Sequence, residues 1–251
     1  MLELSLAQFD AAMGAVLFPL VRILALLFSA PVLGQAAVPV RLRIALGLLL
    51  ALLAAATVPG APGTQGPDAL GTVVREALIG FALGLAMRLI FAAAELAGEA
   101  IGLQMGLGFA MFVDPQSAGQ TPVIASLYAL LAAMLFFALD IHLLLIAGVM
   151  ESFVSFPIGA AAAFGQPEWR SLAGAGSELF RLALALSLPP MTGLLLANIA
   201  LGMLSRSAPQ LNLFAVGFPA MLLVGILLLA PTLPGAAEAL SRALMAWPLG
   251  R

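Results

Sequence analysis

The sequence predicts an all-α fold of the integral-membrane type, in which about six apolar segments form helical hairpins. Of the 251 residues, 63% are apolar and 9% are charged, whereas soluble domains are about 45–50% apolar and about 25% charged. Mean hydropathy is +1.14. Long runs with few or no charges recur along the chain, and a bilayer-crossing helix needs about 20 such residues. These observations exclude an ordinary water-soluble globule.

The first half of the chain contains three of the six segments. The first covers about residues 11–30 and contains Pro19 and Arg22; the second, residues 44–58, follows Arg41 and Arg43 and is short for a full span. Residues 59–72 are rich in Pro and Gly and predict a loop. The third segment, residues 73–105, is the most polar, and it is expected to end where Gly becomes dense in residues 106–122.

The second half contains the other three segments. The fourth, residues 123–139, is uncharged, and apolar sequence resumes after Asp140 as far as residue 150. Residues 157–178 predict a link at an interface or in water. The fifth segment, residues 182–204, is expected to kink or break at Pro189 and Pro190, which lack backbone N–H donors. The sixth, residues 211–234, precedes an expected short amphipathic surface turn over residues 235–251. We predict a single domain over residues 1–251.

Composition excludes several function classes. The chain has no cysteine, which excludes disulfides and thiolate metal sites. Its basic residues are dispersed, so it lacks the dense basic face of a nucleic-acid binder. No nucleotide loop or nucleophile elbow is present, and an enzyme is not expected. Because the N-terminus lacks a basic signal-peptide region, we expect the first segment to be retained.

Charged side chains inside apolar segments are costly and should face protein or water. Arg88, Glu95 and Glu99 share one helical face by their spacing. They are compatible with an internal ion pair, an inter-subunit ion pair or a proton relay, and a structural pair is favoured. Asp140 and His142 form a D-x-H motif. Because His142 is the only histidine, a His-rich zinc site within one chain is excluded. A metal held by these two residues with Glu95 and Glu99 is a weaker alternative to hydrogen-bonded helix contacts.

Glycine spacing predicts close helix packing. Gly80 and Gly84 form one G-x-x-x-G motif, and Gly98, Gly102 and Gly106 form two more in tandem. Rows of small residues let a second helix approach closely in a membrane. The partner helix is either in this chain or in another subunit.

Residues 106–122 are apolar yet too rich in Gly and Pro for a spanning helix. Non-helical backbone at membrane depth is tolerated only where protein buries it or where it lines a cavity. The segment is therefore either an ordinary interhelical turn or a hydrophobic flap that closes a conduit.

Four long motifs lie along the chain: AGEAIGLQMGLGFAMFVDPQ from residue 97, DIHLLLI from residue 140, SFVSFPIG from residue 152 and LLLANIALGMLSRSAPQLNLFAVGFP from residue 194. These motifs resemble those of the FliR family of flagellar biosynthetic proteins. The early R-x-R-x-A-L-G from Arg41 fits the same family. Virulence-type secretion subunits are similar near A-P-Q-L-N, but G-E-x-I-G-L-Q-M-G-L looks more flagellar.

The resemblance implies a type III export gate subunit at the flagellar basal body in the bacterial inner membrane. It implies a multi-subunit helical assembly with FliP-like and FliQ-like subunits, working with an FlhB-like protein, through which unfolded flagellar substrates pass. The hairpins would lie largely above the bilayer plane. No cofactor or metal is expected, since the chain would be a passive conduit. The implied inter-helix and inter-subunit partners are Arg22, Arg88, Glu95, Glu99, Asp140 and His142.

The resemblance also implies two further groups of functional residues. The family's pore plug would correspond to Gly106, Leu107, Gly108, Phe109, Met111, Phe112, Val113, Asp114, Pro115 and Gln116. The C-terminal family motif corresponds to Asn198, Arg206, Pro209, Gln210, Asn212 and Pro219.

Two rival functions remain at this point. A small-molecule secondary transporter is suggested by the proline pair in the fifth segment and by the buried charges. Such a transporter should show paired broken segments in two halves, and the sequence shows one. An intramembrane enzyme would have to use Glu95, Glu99, Asp140 and His142, whose spacing matches no catalytic motif.

Overall fold

The computed structural model describes residues 6–57, 64, 68–108, 122–159, 166–207 and 213–247. In these ranges every regular element is an α-helix and there is no β-strand, which confirms the predicted all-α fold class. In chain order they are α1 (Leu6–Ser29), α2 (Val40–Thr57), α3 (Ala69–Gln104), α4 (Val123–Ala138), α5 (Ile141–Ser155), α6 (Gln166–Ser207) and α7 (Leu213–Met245).

Among the described helices, α1, α2, α3, α6 and α7 are long and apolar enough to cross a membrane. The bent pair α4 and α5 meets the same test when taken as one segment, which gives up to six spans. Asp140 separates the pair with φ 54°, in the left-handed region. Asp tolerates this conformation better than most residues because its short side chain can hydrogen-bond locally.

The described residues of Met1–Leu89, Asp140–Gly176 and Trp247–Arg251 form one compact unit. Most of its buried side chains come from α1, α2, α5 and the first part of α3, and Trp247 is also buried. Arg43 stabilises the turn between α1 and α2. Its guanidinium donates hydrogen bonds to the carbonyls of Gln35 and Val38, and the guanidinium carbon lies 5.2 Å from the centre of the Phe28 ring. Within the turn, Val32 has φ 62°, which is strained for a β-branched residue.

The described residues of Ile90–Leu139 and Ser177–Ala246 form the second compact unit. The rings of Phe91 on α3 and Phe136 on α4 meet edge to face with centres 5.9 Å apart. Tyr128 on α4 is fully buried. A groove of about 360 Å³ lies between α4 and α7 and is lined by apolar residues: Leu127, Leu130, Leu131, Met134, Ala230, Leu233, Pro234 and Ala237.

Helices α6 and α7 extend furthest beyond the segments that the sequence predicted. Helix α6 starts at Gln166, inside the expected link, and continues through Pro189 and Pro190. Helix α7 continues through Pro234 to Met245, where a surface turn was expected. The surface turn expected after residue 234 is therefore wrong, and so is the break at Pro189 and Pro190, whereas a kink there stays a prediction. Proline removes one helical hydrogen bond, but a full break in an apolar segment would leave more backbone groups unpaired.

Both compact units draw on segments that are far apart in sequence. Helices α3 and α6 each contribute residues to both units. The division therefore does not cut the chain into consecutive domains, and the single domain over residues 1–251 stays a prediction.

Candidate functional site

A buried ion pair occupies the centre of the first unit. Arg22 lies on α1, inside the first apolar segment, and Glu76 lies on α3. The Nε atom of Arg22 donates to Oε2 of Glu76 at 2.6 Å, and both side chains are fully buried. Pairing is what makes charge tolerable at such a position, because an isolated buried charge is strongly unfavourable.

The remaining donors of Arg22 bind the C-terminal end of α5. Nη1 donates to the carbonyl oxygen of Ser152 at 2.9 Å and to its Oγ at 3.1 Å, and Nη2 donates to the carbonyl oxygen of Phe156 at 2.8 Å. The guanidinium carbon lies 4.2 Å from the centre of the Phe153 ring. The last carbonyls of a helix lack partners within it, and a cation there also suits the helix dipole. Arg22 thus connects α1, α3 and α5.

The sequence prediction included Arg22 but missed Glu76. The available signal was that a buried Arg in an apolar helix requires a carboxylate, and Glu76 is four residues before Gly80 on α3. That spacing puts Glu76 on the same face as Gly80 and Gly84.

This G-x-x-x-G face of α3 packs against α1. A Cβ placed on Gly80 would collide with the carbonyl oxygen of Arg22, and one on Gly84 would collide with Oγ of Ser29. The same Cβ on Gly84 would lie 2.9 Å from the carbonyl oxygen of Leu26. The partner of this motif is therefore a helix of the same chain, one of the two alternatives left open by the sequence.

The second glycine row lets the α4 backbone approach closely at one of its positions, Gly98. A Cβ on Gly98 would lie 2.6 Å from Cα of Ala125, whereas one on Gly102 would lie 3.8 Å from Cβ of Ile124. The first distance leaves no room for a methyl group, and the second is ordinary van der Waals contact. Close backbone approach is therefore a property of Gly98 and not of Gly102.

Arg88, Glu95 and Glu99 are exposed on α3; Arg88 belongs to the first unit, and we call Glu95 and Glu99, which belong to the second unit, the charged α3 face. None of the three forms a salt bridge with another residue in the described ranges. The internal ion pair considered from the sequence is thus absent there. An inter-subunit pair and a relay remain as interpretations.

The D-x-H motif begins α5. Asp140 is exposed at the break after α4, and His142 is partly buried in the first turn of α5. The described residues contain no group of three or more His, Asp and Glu side chains arranged to hold a metal ion.

The predicted plug loop lies mostly outside the described residues. Only its first three residues, Gly106, Leu107 and Gly108, are described; residues 109–116, which include the candidate closing side chains, are not. Gly106 has φ +85°. The N–H of Gly106 bonds to the carbonyl of Leu103 and that of Leu107 bonds to the carbonyl of Gly102, each at 3.0 Å. This is a Schellman termination of α3, and it favours glycine at the left-handed position.

The C-terminal family motif is described in part. Asn198 and Arg206 are exposed on α6, and Pro219 is exposed on α7. Pro209, Gln210 and Asn212 lie outside the described residues.

The chain is similar to known proteins along nearly its whole length. The model of the family described as bacterial export proteins, family 1, matches residues 13–246. The flagellar biosynthetic protein FliR of Escherichia coli K12 is 41% identical over 93% of this chain and 90% of that protein. FliR of Pectobacterium carotovorum is 44% identical over 88% of this chain and 86% of that protein, and FliR of Bacillus subtilis 168 is 31% identical over 86% and 84%. The chain therefore belongs to family 1 of the bacterial export proteins, together with the flagellar biosynthetic proteins FliR.

Proposed function

We propose that this protein is a structural and gating subunit of the flagellar type III export apparatus, located in the bacterial inner membrane. In this role it forms part of the export channel with FliP-like and FliQ-like subunits and works with an FlhB-like protein. Unfolded flagellar subunits pass through the assembly. The relatives named above are flagellar biosynthetic proteins, and none of them is named as an enzyme.

The charged α3 face is the observation that supports a subunit role most directly. Helix α3 has 36 residues and sufficient apolar length to cross a membrane, yet Arg88, Glu95 and Glu99 are exposed on it. A charge facing acyl chains at the helix centre costs about 2.5–3.5 kcal/mol on insertion scales. Contact with a partner protein or a water-filled path removes that cost, so we assign the charged α3 face to a subunit interface or to the channel wall.

Helix α2 provides a contrast. Its exposed residues within 44–56 are apolar, among them Ile44, Leu48, Leu49, Leu52 and Leu53. This surface needs no polar partner. The difference between the two helices supports a chain with distinct surfaces for different neighbours.

Co-expression with FliP-like and FliQ-like subunits tests the subunit role. The intact complex is purified and its mass is measured. We expect a defined hetero-oligomer that contains this chain. A chain that stays monomeric in the presence of both partners contradicts the proposal.

Two variants test whether the charged α3 face lies at a subunit interface of this complex. Replacing Glu95 and Glu99 by Gln removes two interface charges, and the yield of complex should fall several-fold. The matched control is Glu238→Gln, because Glu238 is also exposed on a helix. Its Oε1 atom lies 3.8 Å from Nη2 of Arg242 on the same helix. Equal yields for the two variants contradict an interface at the charged α3 face.

We further propose that residues 106–116 act as the hydrophobic plug of the channel. The Schellman motif at Gly106 ends α3 just before this apolar segment, and hydrophobic constrictions close pores by excluding water. Deleting residues 109–116 in the assembled complex should make the membrane leak small ions. Unchanged ion permeability contradicts a plug.

The transporter alternative loses its main support, since α6 is continuous through Pro189 and Pro190. The groove between α4 and α7 is lined by apolar residues and offers no polar group that would orient a hydrophilic solute. Solute uptake by the chain alone in liposomes would favour the alternative.

A further inference from the structure

The second half of α6 has no buried residue. Leu194 is fully buried, whereas none of residues 195–207, which complete the helix, is buried. We call residues 195–207 the α6 arm. It belongs to a segment that is long and apolar enough to cross a membrane, and most of its side chains are apolar. The surroundings of the arm therefore have to come largely from lipid or from another protein.

One narrow face of the α6 arm carries small and polar residues. Asn198, Gly202 and Arg206 follow one another at steps of four residues, which places them along a single ridge of the helix. All three are exposed, and we call them the Asn198 face. Contacts between membrane helices are enriched in small residues, which allow close approach, and in side chains such as Asn that hydrogen-bond between helices.

The polar groups of the Asn198 face are not satisfied by the described part of the chain. Asn198 forms no hydrogen bond and Arg206 no ion pair with any described residue. The neighbouring Ser205, in contrast, donates from Oγ to the carbonyl of Gly202 at 2.8 Å. An amide without a hydrogen-bond partner is unfavourable in an apolar environment, and acyl chains offer none. Asn198 is also about 13 Å from the helix end at 1.5 Å per residue, so the end of the helix does not explain it.

Gly202 indicates that a neighbour approaches this face closely. A Cβ on Gly80 or on Gly98 would collide with the backbone of another helix of this chain, whereas a Cβ on Gly202 would have nothing within 4 Å. Glycine inside a helix is less favourable than alanine. The chain itself gains no contact from the missing side chain at Gly202, but a helix of another polypeptide would gain one.

We propose that the Asn198 face is the docking site for one membrane helix of a partner subunit. That helix presents a hydrogen-bonding side chain to Asn198, a small residue to Gly202 and a carboxylate to Arg206. The inference rests on the proposed function, because it names a surface through which the chain joins its assembly. Lipid does not fit this face, since a headgroup phosphate could pair with Arg206 but would leave the carboxamide of Asn198 among acyl chains.

A change of polarity tests the hydrogen bond. Asn198→Leu removes the carboxamide, and the yield of complex with FliP-like and FliQ-like subunits should fall several-fold. The matched control is Thr192→Val, because Thr192 is also exposed on α6 but its Oγ1 already donates to the carbonyl of Pro189 at 2.9 Å. Its yield should equal that of the unsubstituted chain. Equal yields for the two variants overturn the docking site.

A change of size tests the close approach. Gly202→Leu should block docking and lower the yield several-fold, whereas Gly176→Leu should not, although it too has nothing within 4 Å of its Cβ on α6. Detergent unfolding of the uncomplexed chain should be unchanged by both substitutions, which separates docking from folding. Equal yields, or a loss of stability in uncomplexed Gly202→Leu, overturn the proposal.

Photo-crosslinking identifies the occupant. Position 195 is three residues before Asn198 and seven before Gly202, so it shares their face, whereas position 204 points to the opposite side of the helix. A photoreactive amino acid at 195 in the purified complex should form an adduct with a helix of a partner subunit, and one at 204 should not reach that helix. Adducts from position 195 to lipid alone or to a second copy of this chain overturn the proposal.

The failure of this inference is distinguishable from the failure of the proposed function. If the unsubstituted chain stays monomeric with both partners present, the proposed function fails. If it forms the complex but neither Asn198→Leu nor Gly202→Leu lowers the yield, the subunit role stands and the docking site is wrong.

Discussion

Removing one partner of the buried Arg22–Glu76 pair should be among the most destabilising single changes in the protein. Glu76→Leu leaves the guanidinium buried without its carboxylate, at a pair whose side chains are both fully buried. Breaking a buried pair in this way costs about 3–5 kcal/mol. Arg22→Met should cost a similar amount, since it leaves the buried carboxyl of Glu76 without its partner and the carbonyl oxygen of Phe156 without the donor that binds it at 2.8 Å.

The double variant separates the contribution of the ion pair from that of the other hydrogen bonds of Arg22. Arg22→Met with Glu76→Leu removes both charges, and replacing a whole buried pair by apolar residues is often neutral. The carbonyl of Phe156, whose bond to Arg22 is part-buried, still loses its donor, and an acceptor left unsatisfied costs about 1–3 kcal/mol when it is fully buried. We therefore expect the double variant to lose at most about 1–3 kcal/mol, less than either single variant.

The assay is unfolding of the purified chain in mixed micelles as the fraction of denaturing detergent rises. The matched control is Glu178→Leu, which breaks a 3.1 Å pair with Arg181 whose side chains are 67% and 78% exposed, and exposed pairs contribute about 0–1 kcal/mol. A double variant that loses the sum of the two single losses would refute the reasoning, as would a Glu76→Leu variant no less stable than the control.

Three further predictions use the same unfolding measurement. Gly80→Ala should destabilise the protein by about 1–3 kcal/mol through overpacking against α1, whereas Gly71→Ala on the same helix, with nothing within 4 Å of its Cβ, should be neutral or stabilising; equal effects would contradict close packing at Gly80. Val32→Gly should stabilise the protein, because a left-handed valine costs about 1–2 kcal/mol that glycine avoids; a loss of stability would show that the strain is compensated. Tyr128→Phe should cost nothing, since the buried hydroxyl has no hydrogen-bond partner in the described ranges; a loss above about 1 kcal/mol would indicate one.

The apolar runs predicted the helices, because a segment without charge and with strong helix formers has few alternatives in an apolar environment. Helix ends were predicted less well where proline was the signal. Pro189, Pro190 and Pro234 are inside helices, since local preference against proline yields to the cost of unpaired backbone in an apolar segment. Gly106, in contrast, ends α3 close to where the sequence placed the boundary, because there the turn itself requires glycine.

The sequence indicated a buried charge and close helix packing, but it did not indicate which residues and helices are the partners. Arg22 was predicted to need a partner, but Glu76 is 54 residues away, and no local pattern specifies contacts at that range. The spacing of Gly80 and Gly84 indicated close packing without identifying α1 as the neighbour. The roles of the charged α3 face depend on other chains, which a single sequence does not contain, so they remain proposals.

The central claim is that a partner protein or the channel lumen covers the charged α3 face. The most direct measurement places a photo-crosslinking amino acid at position 95 in living cells, with the FliP-like and FliQ-like genes present or deleted. The account predicts an adduct between this chain and one of those subunits that disappears when the partner genes are deleted. Crosslinks to lipid alone, with both partners present, would contradict it.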